Sequence, residues 1–129
     1  MTRILIVDDN VMMRKLIRNL FRDENYEIEE ASNGIEGLEI AGQNSFDLII
    51  TDIIMPKMEG IELIMNLRKK FPEIKIIAIS GGKPYYLYMA KKLGIQGVFT
   101  KPLNHDMFLK AVKRIIQLPS NDCVTTGSH

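Results

Sequence analysis

The sequence FDLIITDIIMPKMEG, residues 46–60, contains a short apolar run that ends in a carboxylate. The run at 48–50 is rich in β-branched residues and is typical of a strand buried on both faces. Asp52 stands where this strand is predicted to end. A buried carboxylate is costly unless a partner compensates it, and ligands of open α/β sheets bind at this edge. Asp52 is therefore the first candidate functional residue, and Pro56 and Gly60 break the chain into a loop behind it.

Strand and helix patterns alternate along the whole chain. Strands are predicted at 4–7, 26–31, 48–52, 74–79 and 96–100, and amphipathic helices are predicted to begin near residues 10, 35, 61, 84 and 105. Asn10 and Asn104 are suitable N-caps, and Gly94 is a suitable helix stop. The apolar positions of the third and fifth helices are Ile61, Ile64 and Met65, and Met107, Phe108, Ala111, Val112, Ile115 and Ile116, respectively.

Five strand–helix units in alternation predict an α/β fold. Right-handed crossovers between the strands give a parallel sheet that is covered on both faces. For a chain of this size we expect a doubly wound, five-stranded parallel sheet of order 2-1-3-4-5 with a flavodoxin-like arrangement of helices on both faces.

Size and composition favour one domain without a bias toward nucleic acid or membranes. The 129 residues suffice for a sizeable core, and the formal net charge is +1. The single cysteine, Cys123, excludes an intrachain disulfide and fits a cytoplasmic protein. No apolar run approaches the roughly 18 residues of a spanning helix. We interpret residues 1–117 as the domain and residues 118–129 as a polar tail, for which a linker stub and an expression remnant are open alternatives.

Polar side chains follow the predicted strands at their C-terminal ends. Asp8 and Asp9 follow the first strand, Asp52 the third, Ser80 the fourth and Lys101 the fifth. Since these ends share one edge of a parallel sheet, we expect the groups in one cleft. Three carboxylates this close cannot all stay ionised without a cation. The lysine supplies one positive charge, and a hard divalent ion, most plausibly Mg²⁺, supplies the rest.

Such a set of groups suits phosphoryl transfer to a carboxylate. The metal and the lysine neutralise the oxygens of the moving group, and positioning contributes most of the catalysis. Asp52 is the predicted nucleophile, which would form an acyl phosphate. Neither histidine competes for this role, because His105 lies at a helix start and His129 in the tail.

Several short motifs stand in order at these strand ends. They are Val7-Asp8-Asp9, Asp52 followed by Met55-Pro56 and Gly60, Ser80 followed by a small residue, and Lys101-Pro102. Through these motifs, residues 3–117 resemble the receiver domain of two-component response regulators, in particular the single-domain, chemotaxis-regulator-like members.

The resemblance implies a phosphoryl acceptor and a metal site. Asp52 would accept the phosphoryl group from a histidine kinase or a histidine phosphotransfer protein. Asp9 would bind Mg²⁺ directly and Asp8 through water, while Asp52 and the backbone carbonyl of Ile54 would complete the set. The protein would be a signalling switch with weak self-phosphorylation and self-dephosphorylation rather than an enzyme.

The resemblance also implies roles for the remaining groups at the strand ends. Lys101 would contact the phosphoryl group, and Ser80 would hydrogen-bond it and carry the conformational switch. The Lys101–Pro102 bond is expected to be cis, which is cheap only before proline. The signal would leave through the face of the fourth helix, the fifth strand and the fifth helix. Its target would be a downstream protein or a covalently linked effector domain, with no direct binding to nucleic acid or membrane.

The expected partner face contains aromatic residues, but not in the usual place. The family's switch couples the hydroxyl residue to an aromatic three residues before the lysine, where this chain has Val98. The neighbouring aromatic, Phe99, should lie on the opposite face of the strand. On the fourth helix, Tyr85, Tyr88 and Met89 are expected to point outward, and partial packing of some of them in the core is the alternative.

Two other functions remain open at this point. One is a phosphatase with an aspartyl-phosphate intermediate. Such enzymes usually need a second acid two residues after the nucleophile, a position that Ile54 holds here. The other is an interaction domain that works without phosphorylation, which would not need the complete set of acids.

Overall fold

The computed structural model describes residues 1–53, 60–81 and 84–119, without the side chains of residues 84–87. The elements in chain order are β1 (Thr2–Val7), α1 (Val11–Leu20), β2 (Tyr26–Ala31), α2 (Gly34–Gln43), β3 (Leu48–Asp52), α3 (Gly60–Lys70), β4 (Lys75–Ser80), α4 (Pro84–Lys92), β5 (Gly97–Thr100) and α5 (His105–Gln117). The Ile54 carbonyl, Met55-Pro56, the Tyr85 side chain and residues 120–129 lie outside this description.

The five strands form one parallel sheet in the order β2-β1-β3-β4-β5. This confirms the predicted doubly wound order 2-1-3-4-5. The register aligns the C-terminal ends of the central strands: Val7 pairs with Thr51, and Asp52 pairs with Ile79. Residues that follow these strands therefore meet at one edge of the sheet.

Helices cover both faces of the sheet and enclose two apolar clusters. One cluster lies between the sheet and α2, α3 and α4, and the other lies between the sheet and α1 and α5. β3 and β4 are buried along their whole length. This explains why their sequences are continuous apolar runs without polar alternation. No helix in the described ranges combines the length and apolarity needed to cross a membrane.

Two methionines that we placed among the apolar positions of helices are exposed. Met65 in α3 and Met107 in α5 are 54% and 46% exposed. Leu63, Ile64 and Leu67 set the centre of the buried stripe of α3, and Met65 lies outside that stripe. Met107 likewise lies outside the stripe of buried residues in α5. The predictions for these two side chains were wrong because an i, i+3, i+4 pattern fits more than one helical face.

Asparagine caps fix where α1 and α5 begin, as predicted. The side chain of Asn10 accepts hydrogen bonds from the backbone N–H groups of Met12 and Met13, at 2.9 and 3.2 Å. Asn104 accepts from Met107 N–H at 3.0 Å. Because the Asn10 cap directly follows Asp9, it also ends the loop that carries the two adjacent aspartates.

Gly60 allows α3 to begin against the end of β3. Its N–H donates to the Ile53 carbonyl at 2.7 Å. A Cβ atom at Gly60 would lie 2.1 Å from the Asp52 carbonyl oxygen and 2.5 Å from the Ile53 Cα, where no side chain fits. Glycine at this position therefore lets the helix pack onto the backbone of the residue that carries the central carboxylate.

We expect Gly60→Ala to lower the free energy of unfolding by about 1–3 kcal/mol, because the added methyl group must displace the end of β3. Gly42, near the end of α2, is the matched control, since a Cβ there meets nothing within 4 Å. Gly42→Ala should be neutral or about 0.5–1 kcal/mol more stable. Urea denaturation followed by circular dichroism measures both variants. Equal midpoints would contradict the close approach at Gly60.

Candidate functional site

Three carboxylates meet at the C-terminal edge of the sheet, as predicted from the strand ends. One oxygen atom from each of Asp8, Asp9 and Asp52 lies within 4.8 Å of the others. We refer to these three residues as the carboxylate cluster. Asp8 and Asp52 are buried, with 2% and 7% exposure, whereas Asp9 is exposed. The cluster forms because β1 and β3 are parallel neighbours, so that the residues at their ends converge.

Lys101 places its ammonium group beside the two buried carboxylates. Its Nζ lies 3.4 Å from Asp52 Oδ2 and 3.9 Å from Asp8 Oδ2. The Lys101–Pro102 peptide bond is cis, as expected. The Lys101 stem passes Gly81, where a Cβ would lie 3.3 Å from the lysine Cδ. The small residue after β4 thus leaves room for the lysine to reach the carboxylate cluster.

Ser80 is the last residue of β4 and is 1% exposed. Its backbone carbonyl accepts a hydrogen bond from Lys101 N–H at 3.0 Å, so the hydroxyl-bearing and ammonium-bearing residues are tied at the backbone. Asp52 lies on β3, the strand next to β4, and pairs with Ile79. The predicted hydroxyl therefore stands at the same edge of the sheet as the carboxylate cluster.

Asp8 is held tightly and carries a strongly perturbed carboxyl group. Its N–H donates to the Ala31 carbonyl at 3.1 Å, and its Oδ1 accepts from Asn10 N–H at 2.9 Å. Burial raises the pKa of Asp8 to about 6. The bond from Asn10 and the charge of Lys101 oppose this rise in pKa, and the charges of Asp52 and Asp9 add to it. Burial, together with the two neighbouring carboxylates, thus disfavours the ionised form of Asp8.

The donor set fits a hard divalent cation. Among the described residues, three carboxylates face the ammonium group of Lys101, so these groups together carry an excess of negative charge when all three acids are ionised. Carboxylate oxygens are the ligands that Mg²⁺ prefers, and a bound cation would remove the penalty seen at Asp8. The carbonyl of Ile54, predicted as a further ligand, lies outside the described residues.

The predicted switch and partner residues are not all at the surface. Val98 and Phe99 are only 2% and 3% exposed, so neither can contact a partner directly. They point to opposite faces of the sheet, as strand alternation requires. Phe99 packs edge-on against Phe108 of α5, with ring centroids 5.1 Å apart. The interpretation of these two residues as part of a partner surface is therefore corrected to an interior position.

On α4, only part of the expected aromatic surface is borne out by the described side chains. Tyr88 is 56% exposed, and the Lys92 ammonium lies 4.8 Å from its ring centroid. Met89 is partly buried and packs against the cluster under α2, α3 and α4, so the alternative of partial core packing holds for this residue. Ala90, the next residue, is fully buried and points toward the sheet. Met89 lies beside it on the helix and is therefore partly covered as well.

Arg14 contacts this site and was not among the residues predicted from the sequence. Arg14 donates from Nη1 to the backbone carbonyl of Asp8 at 2.7 Å and from Nε to Glu30 at 2.9 Å. In the sequence, Arg14 is one of several basic residues on the polar face of α1. Nothing in that pattern distinguishes it from Arg18, because the contact depends on how α1 lies on the sheet.

Comparison with known protein families, sequences and structures points to one family. The family model for the response regulator receiver domain matches residues 4–113. Sporulation initiation phosphotransferase F of Bacillus subtilis is 33% identical over 120 residues, covering 92% of this chain and 97% of that protein. Chemotaxis protein CheY of Listeria monocytogenes is 34% identical over 116 residues, covering 88% and 98%. The crystal structure of response regulator TrrA from Thermotoga maritima, in complex with Mg²⁺-BeF, matches with a TM-score of 0.81 and 34% identity, covering 89% and 99%.

The raised pKa of Asp8 predicts how stability depends on pH in metal-free buffer. Between the ordinary pKa of 3.8 and the folded value of about 6, the folded state holds more protons than the unfolded state. Stability contributed by this group therefore falls as pH rises through that window. Asp8→Asn cannot ionise, so it should gain up to about 3 kcal/mol over wild type at about pH 7.5 and little at about pH 4.

Urea denaturation at the two pH values measures this difference. Asp23→Asn is the control, because it makes the same chemical change at a side chain that is 89% exposed. A wild-type and an Asp8→Asn protein that differ by the same amount at both pH values would show that burial does not perturb this carboxyl group.

Proposed function

Since this chain belongs to the response regulator receiver domain family, we propose that it is a signalling switch in which Asp52 accepts a phosphoryl group from a histidine kinase or a histidine phosphotransfer protein. The observation that carries the proposal is the Lys101 ammonium 3.4 Å from the Asp52 carboxylate, with two further carboxylates beside it. Residues 1–117 form the receiver domain in this proposal.

The chemistry is a displacement at phosphorus. One carboxylate oxygen of Asp52 attacks the phosphorus atom, the bond from phosphorus to the donor nitrogen or oxygen breaks, and the donor leaves with that electron pair. The product is an acyl phosphate on Asp52. The Lys101 ammonium lies close enough to hydrogen-bond an oxygen of the incoming group, and its positive charge offsets the added negative charge.

Magnesium is the cofactor in this proposal. Asp9 would hold it directly and Asp8 through water, with Asp52 and the Ile54 carbonyl completing the set. When bound, the ion supplies positive charge that neutralises the phosphoryl oxygens and lets all three acids ionise. The Thermotoga maritima relative was crystallised with Mg²⁺-BeF, which supports the same choice of ion here.

The output depends on Ser80 and on the face made by α4, β5 and α5. Ser80 would hydrogen-bond the phosphoryl group and move toward the site, which shifts the backbone that ties it to Lys101. Because Val98 and Phe99 are buried, any change in β5 must reach a partner through residues packed on it. Tyr88 is an exposed aromatic residue through which α4 would contact a downstream protein or a linked effector domain.

Incubation with Mg²⁺ and a small acyl phosphate tests the acceptor. We expect one phosphoryl group per chain by intact mass, located on Asp52 by peptide analysis, and no adduct when the metal is chelated before the acyl phosphate is added. Asp52→Asn should abolish the adduct because the amide cannot act as the nucleophile.

Asp47→Asn is the matched control, since Asp47 precedes the same strand but is exposed and caps Arg3 N–H at the opposite edge of the sheet. This variant should be phosphorylated like wild type. No adduct on the wild-type protein, or an adduct that persists in Asp52→Asn, would rule out the proposed acceptor.

A further inference from the structure

Arg14 joins three parts of the fold next to the carboxylate cluster. Its guanidinium donates to the Asp8 carbonyl at 2.7 Å and to the Glu30 carboxylate at 2.9 Å, so it links α1 to the ends of β1 and β2. The Arg14 side chain is only 15% exposed. Glu30 is itself held by Arg18 at 2.7 Å. The contact to the Asp8 carbonyl is therefore made by a group that is anchored and largely shielded from water.

Asp9 needs such support because its own side chain has none. Among the residues that the structure describes, no hydrogen bond or ion pair restrains the exposed Asp9 carboxylate. The backbone sets where this side chain begins, and the Asp8 carbonyl belongs to the peptide plane that leads into Asp9. The Asp8 N–H and side chain are tied to Ala31 and Asn10, which leaves the carbonyl as the remaining contact that fixes this plane.

We propose that Arg14 is a positioning residue of the metal site, which holds the Asp8–Asp9 peptide so that the Asp9 carboxylate is directed at the cation before the cation binds. This inference rests on the magnesium site of the proposed function. A cation that binds a preformed set of oxygens does not have to order the loop first, and residues behind metal ligands commonly change affinity by 10–100-fold. Arginine suits this role because its planar guanidinium can donate to two oxygen acceptors, the Asp8 carbonyl and the Glu30 carboxylate, at the same time.

Arg18 provides a matched control one turn further along α1. It shares the Glu30 partner, at 2.7 Å, but its second contact is the Ile28 carbonyl at 3.0 Å, away from the carboxylate cluster. Its side chain is 47% exposed. Removal of either arginine takes one positive charge from α1 and one ion pair from Glu30, and only the loss of Arg14 frees the Asp8 carbonyl.

The first measurement is the Mg²⁺ dissociation constant of the unphosphorylated, isotope-labelled protein, followed through backbone amide shifts during a magnesium titration. We expect Arg14→Ala to weaken Mg²⁺ binding about tenfold, and Arg18→Ala to stay within about twofold of wild type because its ion pair is exposed. The half-saturating Mg²⁺ concentration for phosphorylation by a small acyl phosphate should rise by the same factor in Arg14→Ala. Urea denaturation checks that both variants are folded.

If an alanine variant is not folded, the Arg14→Lys and Arg18→Lys variants test the positioning role of Arg14 instead. Each keeps its charge, but a single ammonium at position 14 cannot serve both Glu30 and the Asp8 carbonyl in the geometry of the fork. Weaker Mg²⁺ binding in Arg14→Lys than in Arg18→Lys supports the inference. Equal Mg²⁺ affinity in the two members of a pair would show that Arg14 has only a structural role.

The outcomes separate this inference from the proposed function. Phosphorylation of Asp52 together with equal Mg²⁺ affinity in the Arg14 and Arg18 variants leaves the function in place and overturns the inference. A selective loss of Mg²⁺ affinity in the Arg14 variants without any adduct on wild-type Asp52 supports the inference and overturns the function. A wild-type protein that does not bind Mg²⁺ would overturn both.

Discussion

Electrostatic repulsion within the carboxylate cluster is the constraint on which the rest of the site depends. A parallel sheet brings the ends of β1 and β3 together, and each end carries acid groups that are partly or fully removed from water. In the described part of the chain, Lys101 lies beside these acids and opposes the rise in the pKa of Asp8, which burial and the charges of Asp52 and Asp9 cause. In the proposed function, the same cost in stability is what a bound divalent cation and then a phosphoryl group would relieve.

The surrounding structure holds these acids in place without neutralising them. Asn10 ends the loop after β1, Gly60 lets α3 sit on the end of β3, and Arg14 fixes the peptide between the two adjacent aspartates. Gly60 and Arg14 act on the backbone next to the acids, whereas Asn10 N–H holds one oxygen of the Asp8 carboxylate. A rigid frame around reactive and mutually repelling groups is what preorganised sites require, because ordering the groups at the moment of binding would weaken that binding.

The interior of β5 limits how a signal can leave this site. Val98 lies in the cluster under α2, α3 and α4, and Phe99 lies in the cluster with α1 and α5. Neither side chain can alternate between the core and solvent without leaving a cavity, since both are almost completely buried. A displacement of the backbone around Ser80 and Lys101 would instead be felt by the elements packed on β5, among them α5 through the contact of Phe99 with Phe108.

Local patterns in the sequence determined the order of the elements, the parallel sheet and the identity of the groups at its edge, because periodicity, caps and strand ends are properties of neighbouring residues. Only the tertiary structure decided the 3.4 Å approach of Lys101 to Asp52, the choice of Arg14 over Arg18, and the outward position of Met65 and Met107. These features depend on how helices are rotated and seated on the sheet, which joins residues far apart in the chain. The fold and the acids of the site were thus accessible from sequence, whereas their distances, burial and supporting contacts were not.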